Sequence, residues 1–289
     1  MSLSFYYLKK KIMNTFRLYI ALLLSVITFS GCSNDDDPAV DNGVQNAQIT
    51  ITEYQWKFGE VSTIGDLYEQ YTYDSKDNLI KKETNHYYNS TIGRIPNYYT
   101  FKYDEQNHLI ERSDYSFYTL DNKYKYTFNS IDSIATMEEY TKEGTLSESW
   151  IYTYDSQRRL IQAKQTYDLI IPYVDDYSYN GNDVTVVRHR VDTGELFGTT
   201  LFEYDDHRNL LKKTWTNGKT GKQDLEVYNE YSYNSQGKIS KATIHGYYNK
   251  NDLTYKEYTY NSDGTIQRIH VSYSFKTDQS NLDYTYSKI

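Results

Sequence analysis

From residue 48 onward the chain alternates aromatic and polar positions in short runs, and one run returns again and again. Clear copies are Tyr71-Thr-Tyr-Asp-Ser-Lys-Asp-Asn-Leu79, Phe101-Lys-Tyr-Asp-Glu-Gln-Asn-His-Leu109, Tyr152-Thr-Tyr-Asp-Ser-Gln-Arg-Arg-Leu160 and Phe202-Glu-Tyr-Asp-Asp-His-Arg-Asn-Leu210. Tyr231 to Ile239 and Tyr258 to Ile266 follow the same pattern with Asn in place of the Asp. Tyr126 to Ile134 is a weaker copy, Tyr177 to Val184 is one residue shorter, and Tyr284-Thr-Tyr286 is a final half. The second aromatic falls at 73, 103, 128, 154, 179, 204, 233, 260 and 286, in steps of 25 to 30 residues. A period of this size marks one supersecondary unit used repeatedly.

Each unit reads as a β-hairpin. Aromatic-polar-aromatic alternation builds a strand with one buried face, and the Asp or Asn that follows bonds the backbone two residues on and opens a turn. The fourth residue after the aromatic is Asp77, Asn107, Asp132, Gly237 or Gly264 in five copies. These types tolerate the left-handed conformation that a type I turn with a following bulge requires. Arg158 and Arg208 break the preference, which predicts strained or differently shaped turns there.

The turn sets the register. Asp74 should oppose Asn78, placing Tyr73 across from Leu79 on one face. Thr72, Lys102, Thr153 and Glu203 then occupy the other, with Ile80, Ile110, Ile161 and Leu211 also pointing outward. Further turn sequences (Thr141-Lys-Glu-Gly-Thr, Val191-Asp-Thr-Gly-Glu, Thr216-Asn-Gly-Lys-Thr-Gly-Lys) join the units into one meander.

The expected fold is therefore all-β, a long antiparallel meander of about 18 strands from about nine hairpin repeats. Such a sheet buries its aromatic face by curling or by doubling over. A closed or flattened water-soluble barrel is expected, with an open twisted single-layer or two-layer repeat sheet as the alternative. A transmembrane barrel needs an outward apolar band of ~25 Å, which Thr, Lys and Glu deny.

Composition sharpens this picture. Only 38% of residues are hydrophobic, yet 35 are Tyr and 17% are aromatic. Tyrosine has an apolar body and a polar tip, so it supplies buried area that the few Leu and Val cannot. Disordered chains are poor in aromatics, which sets this one apart from them.

The N-terminus carries a different pattern. Residues 1–31 read as a signal peptide: Lys9, Lys10, Lys11 and Arg17 precede the apolar run Leu18 to Phe29, which is too short to span a bilayer unaided. The run ends in Phe29-Ser30-Gly31-Cys32 and resembles the lipobox of bacterial lipoproteins, with Phe29 where that motif usually has Leu. The resemblance implies that Cys32, the single cysteine, is acylated and becomes the first mature residue. Diacylglyceryl and N-acyl chains together give the stable anchoring that one chain does not.

Residues 32–47 then form an acidic tether, and Cys32-Ser-Asn-Asp-Asp-Asp37 is similar to the export signal of surface lipoproteins in the Bacteroidota. That implies the outer membrane and its external face, with the periplasmic leaflet as the alternative. Residues 48–289 form the repeat domain. Loss of the four N-terminal cations takes the net charge from -8 to -12. Phosphate binding needs clustered Lys and Arg, so nucleic acid is not an expected partner.

The Tyr-x-Tyr-Asp-x-x-(Gly/Asn)-x-Leu units resemble the YD repeats of Rhs and teneurin shells. They also resemble Bacteroidota lipoprotein domains of unknown function described as porin-like in fold. The resemblance implies fold more than activity.

Little else carries chemistry. His86, His108, His189, His207, His245 and His270 lie on different hairpins with no metal-ligand spacing. Asn180 to Asp183 and Asn261 to Gly264 lack the full oxygen series of a calcium loop. No phosphate loop or nucleophile elbow occurs. No cofactor, metal or catalytic residue is expected.

The aromatic surplus remains. Trp56, Trp150 and Trp215 are candidate ligand contacts, because exposed aromatic faces stack on sugars or pack on proteins. The expected function is a non-enzymatic, lipid-anchored envelope protein that binds a glycan or an envelope protein. A structural repeat shell is the alternative. A carboxylate-dependent glycan hydrolase is the third reading and requires two carboxylates converging in a cleft.

Overall fold

The computed structural model describes residues 47–57, 60–61, 66–89, 93–116, 118–168, 171–276 and 279–288. Cys32, the signal peptide and the acidic tether up to Asn46 lie outside them. The chain divides into two units, one holding residues 1–42 and 154–160 and the other residues 43–153 and 161–289.

The strands are β1 (Ala47–Lys57), β2 (Glu60–Val61), β3 (Asp66–Tyr73), β4 (Leu79–Asn89), β5 (Gly93–Tyr103), β6 (Leu109–Ser116) and β7 (Thr119–Phe128). They continue as β8 (Ile134–Thr141), β9 (Leu146–Tyr154), β10 (Leu160–Asp168), β11 (Tyr173–Asn180), β12 (Asp183–Arg190) and β13 (Leu196–Tyr204). The last six are β14 (Leu210–Asn217), β15 (Gln223–Tyr233), β16 (Ile239–His245), β17 (Leu253–Tyr260), β18 (Ile266–Tyr273) and β19 (Gln279–Lys288).

Consecutive strands pair antiparallel from β3 to β19, and β1 closes the ring by pairing with both β3 and β19. The two-residue β2 adds only a short pairing to β1, through Trp56 with Val61 and Lys57 with Glu60. The larger unit is thus a closed antiparallel barrel of 18 strands among the described residues. Closure removes the sheet edges that would otherwise template aggregation, and it rules out the open-sheet alternative.

The hairpin turns follow one plan. Tyr73 lies across from Leu79, Tyr103 from Leu109, Phe128 from Ile134, Tyr204 from Leu210, Tyr233 from Ile239 and Tyr260 from Ile266. Cross-strand pairs of this kind contribute roughly 0.2–1 kcal/mol each. The Asp74 N–H donates to the Asn78 carbonyl at 2.9 Å, as the expected register requires. The Asp74 carboxylate accepts the amides of Lys76 (2.8 Å) and Asn78 (2.9 Å). Asn129, Asp205 and Asn234 repeat both contacts.

In the smaller unit, the turn at 155–159 has the same bonds, with Asp155 accepting from the amides of Gln157 and Arg159. Arg158 and Arg208 adopt the left-handed conformation (φ 64° each) alongside Asp77, Asn107, Asp132, Gly237 and Gly264. Their turns are therefore strained but not differently shaped, because the Asx bonds fix the loop whatever occupies that position.

A register shift follows most of these turns. Thr72 pairs with Lys81 while Tyr73 pairs with Leu79, so Ile80 is an extra residue. The same shift occurs before Tyr103, Phe128, Tyr204, Tyr233 and Tyr260. It turns the third residue after the Leu inward: Lys82 faces Tyr71, Arg112 faces Phe101 and Lys213 faces Phe202.

The buried face points into the barrel. One apolar cluster joins Ile51, Ile269, Val271 and Leu282 to Tyr68, Tyr71, Tyr258 and Tyr284. Barrels of about this strand number commonly hold a water-filled channel. Here the inward Asp175 is only 1% exposed, and Gln165 and Glu139 are also buried. The outward face carries Lys102–Glu111 (2.7 Å), Lys241–Glu257 (2.8 Å) and Arg268–Asp283 pairs. That surface is matched to water rather than hydrocarbon.

Candidate functional site at the loop rim

Antiparallel alternation gives the barrel two unlike ends. Ala47 pairs with Tyr73 and Lys288, so the first and last strands begin and end at the rim that carries the Tyr-Asp turns. Tyrosine hydroxyls lace this rim together. Tyr103 donates to the Leu79 carbonyl (3.0 Å), Tyr260 to Ile239 (2.6 Å) and Tyr286 to Ile266 (3.0 Å), each crossing from one repeat to the previous one. Tyr233 donates to the Asp205 carboxylate and accepts from Asn209. Hydroxyls used this way explain why the repeat prefers Tyr to Phe.

The opposite rim carries connections of varied length, and there aromatic side chains reach solvent. Tyr248 is 92% exposed, Tyr118 73%, Phe275 53% and Phe197 46%, with Tyr167 and Tyr247 also exposed. They fall into groups. Tyr98 stacks on Tyr115 (centroids 4.3 Å apart, planes 8°) with Tyr118 beside it. Tyr247 meets Tyr248 edge-on at 4.8 Å, and Tyr273 meets Phe275 at 5.4 Å. Burial, then nearby Asp224 and Glu226, push the Tyr247 hydroxyl pKa upward.

The fourth group is the most constructed. Phe197 is the extra residue at a register shift where Arg188 pairs with Gly198 but His189 with Leu196. Its ring lies 5.1 Å from that of Tyr173 and 5.6 Å from that of Trp215. Trp215 in turn covers Gly198, where any Cβ would overlap the indole. Glycine inside a strand costs roughly 0.5–1 kcal/mol in chain entropy, and here it makes room for the ring. Below, Arg188 approaches the Tyr173 ring (5.6 Å) and holds Asp175 through two bonds of 2.6 Å.

Of the candidates nominated by the sequence, Trp215 belongs to this group. Trp150 faces Met137 on the half-buried inner side of β9, and Trp56 pairs with Val61 through its backbone, its side chain lying outside the described part. Cys32 lies outside the described residues. Sequence reasoning missed Phe197 and Tyr173. The available signal was Leu196-Phe197-Gly198, two apolar residues and a glycine where alternation should continue.

Carboxylates also meet. Glu139 lies directly across from Glu148 on the inner faces of β8 and β9, both buried. Gln165 donates to Glu148 and to Asp168 (2.9 Å) and accepts from the Tyr173 amide (3.1 Å).

No family model matches the chain, and no curated protein matches it. Among solved structures it is similar to a porin-like protein from Bacteroides uniformis, at 11% identity and a TM-score of 0.40 over 84% of this chain and 96% of that one. A porin-like protein from Bacteroides vulgatus gives 12% identity and a TM-score of 0.33 over 66% of this chain and 94% of that one. A Photorhabdus luminescens Tc holotoxin pore gives 13% and 0.32 over 75% of this chain but only 15% of that one. At these values the likenesses carry no argument about activity.

Proposed function

We propose that this chain is a lipid-anchored binding protein of the cell envelope, tethered through Cys32 and recognising a glycan or envelope protein with its loop rim. One observation carries the reading. The barrel begins at the turn rim, at Ala47, while the most exposed aromatics among the described residues, Tyr248, Tyr118, Phe275 and Phe197, stand on the opposite rim. A tether leaving from the turn rim would hold the aromatics away from the membrane. Tyr and Phe at such density on a surface mark interaction sites in general. The acidic segment after Cys32 supports placement on the outer membrane, facing outward, with the periplasmic leaflet as the alternative.

Two experiments on the full chain test this. Cys32→Ala should move the protein from the membrane to the soluble fraction. Combined Tyr118→Ala, Phe197→Ala, Tyr248→Ala and Phe275→Ala should abolish retention on immobilised envelope polysaccharides and proteins while leaving the fold intact. Unchanged retention in the combined variant would return the protein to the scaffold reading.

A further inference from the structure

We infer that the loop-rim ends of β11 to β14 form a saccharide subsite, in which an uncharged sugar ring stacks on Phe197 and Trp215 and its hydroxyls meet Arg190 and Asp192. The inference rests on the proposed recognition role of the loop rim and names its ligand class and location.

Three features point the same way. The platform is rigid: Trp215 rests on the backbone at Gly198, and Tyr173 is braced by the Arg188–Asp175 pair. A ring held in place before binding loses little freedom on binding. Phe197 is turned toward this platform by the extra residue in its strand, yet remains nearly half exposed. Bulges re-aim side chains in this way next to functional sites.

The polar partners are adjacent. Arg190 pairs with Tyr173 across β11 and β12, and its guanidinium grips Asp192 through bonds of 3.0 and 2.8 Å.

A sugar ring has apolar C–H faces and a hydroxyl edge, which asks for a flat aromatic surface beside planar donors and acceptors. The Arg190–Asp192 pair offers both at fixed spacing and is charge-neutral. An apolar peptide anchor would instead seek an enclosed apolar pocket, whereas Phe197 stands nearly half exposed near the Arg190–Asp192 pair.

The test is affinity gel electrophoresis of the full chain through purified neutral polysaccharides: a mixed-linkage glucan, a xylan and a galactomannan. At least one should retard the protein, and Phe197→Ala and Gly198→Ala should each weaken that retardation roughly tenfold, about the worth of one aromatic contact. Tyr255→Ala, on the outward face of β17, should leave it unchanged. Gly198→Ala displaces Trp215 and can loosen the fold, so Phe197→Ala decides if its melting transition drops. Retardation lost with Tyr248→Ala but kept with Phe197→Ala would overturn the subsite and leave the loop-rim reading standing. Retardation by none of the three polysaccharides would overturn the saccharide assignment, and retention of an envelope protein by the loop rim would then separate that failure from failure of the broader reading.

Discussion

The two rims of the barrel are built from the same strands by different rules. At the turn rim one solution recurs: an Asx side chain caps its own loop, a Tyr–Leu pair sets the register, and a tyrosine hydroxyl bonds the previous repeat. Tyr103, Tyr233, Tyr260 and Tyr286 all spend their hydroxyls there on the previous repeat. At the loop rim the connections vary, and the aromatic rings stack on one another with their outer faces in solvent. Sequence regularity thus tracks structural duty, and the irregular end is the one left free to bind.

The largest effect that could sharpen this contrast lies under the loop rim. Asp175→Ala leaves Arg188 buried without its bidentate partner, so denaturant unfolding should show a loss of about 3–5 kcal/mol. Replacing both residues with apolar ones of similar volume should recover most of it. Full recovery of stability with lost binding would show that the pair braces the aromatic platform.

At the turn rim, Tyr103→Phe and Tyr260→Phe each remove a hydroxyl bond to a carbonyl and should cost about 1 kcal/mol. The two sites lie on separate strands, so the losses should add. Arg208→Gly relieves a left-handed arginine and should raise stability by about 0.5 kcal/mol, after the entropic cost of glycine.

Acid should also distinguish the turns. Burial works to raise the Asp205 pKa, but hydrogen bonds from Tyr233, Asn209 and His207 hold it below the usual carboxylate range. A lowered folded pKa gives stability that is present above the unfolded value, ~3.9, and is lost as pH falls through the folded one. Asp205→Asn should therefore flatten the acid limb of a stability–pH curve, while the Asn234 turn already lacks that dependence. The smallest effects belong to the loop rim, where Tyr248→Ser and Phe275→Ser should change stability by no more than about 0.5 kcal/mol.

The repeat made the strands, the turns and the Tyr–Leu register legible, because each is a local consequence of residue order. Cys32 is equally visible in sequence, though its lipid is a matter for chemistry beyond the barrel. What alternation did not show is where it breaks. Leu79-Ile80, Leu109-Ile110 and Leu210-Leu211 are double apolar steps that mark the extra residue, and they turn Lys82, Arg112 and Lys213 inward. Those cations then lie over rings, Lys82 above Tyr71 at 4.9 Å and Arg112 above Tyr124 at 4.9 Å. Their aromatic partners come from neighbouring strands as well as their own hairpin, so no local pattern announces them. The Tyr173–Phe197–Trp215 platform was hidden for the same reason: three strands supply one ring each.

The division of labour between the rims is tested most directly by comparing two multiple variants of the full chain for stability and polysaccharide retardation together. Tyr103→Phe with Tyr260→Phe should lose about 2 kcal/mol and keep its retardation. Tyr118→Ala with Phe197→Ala, Tyr248→Ala and Phe275→Ala should keep its unfolding midpoint and lose its retardation. The reverse outcome, or loss of both properties in both variants, would contradict the account.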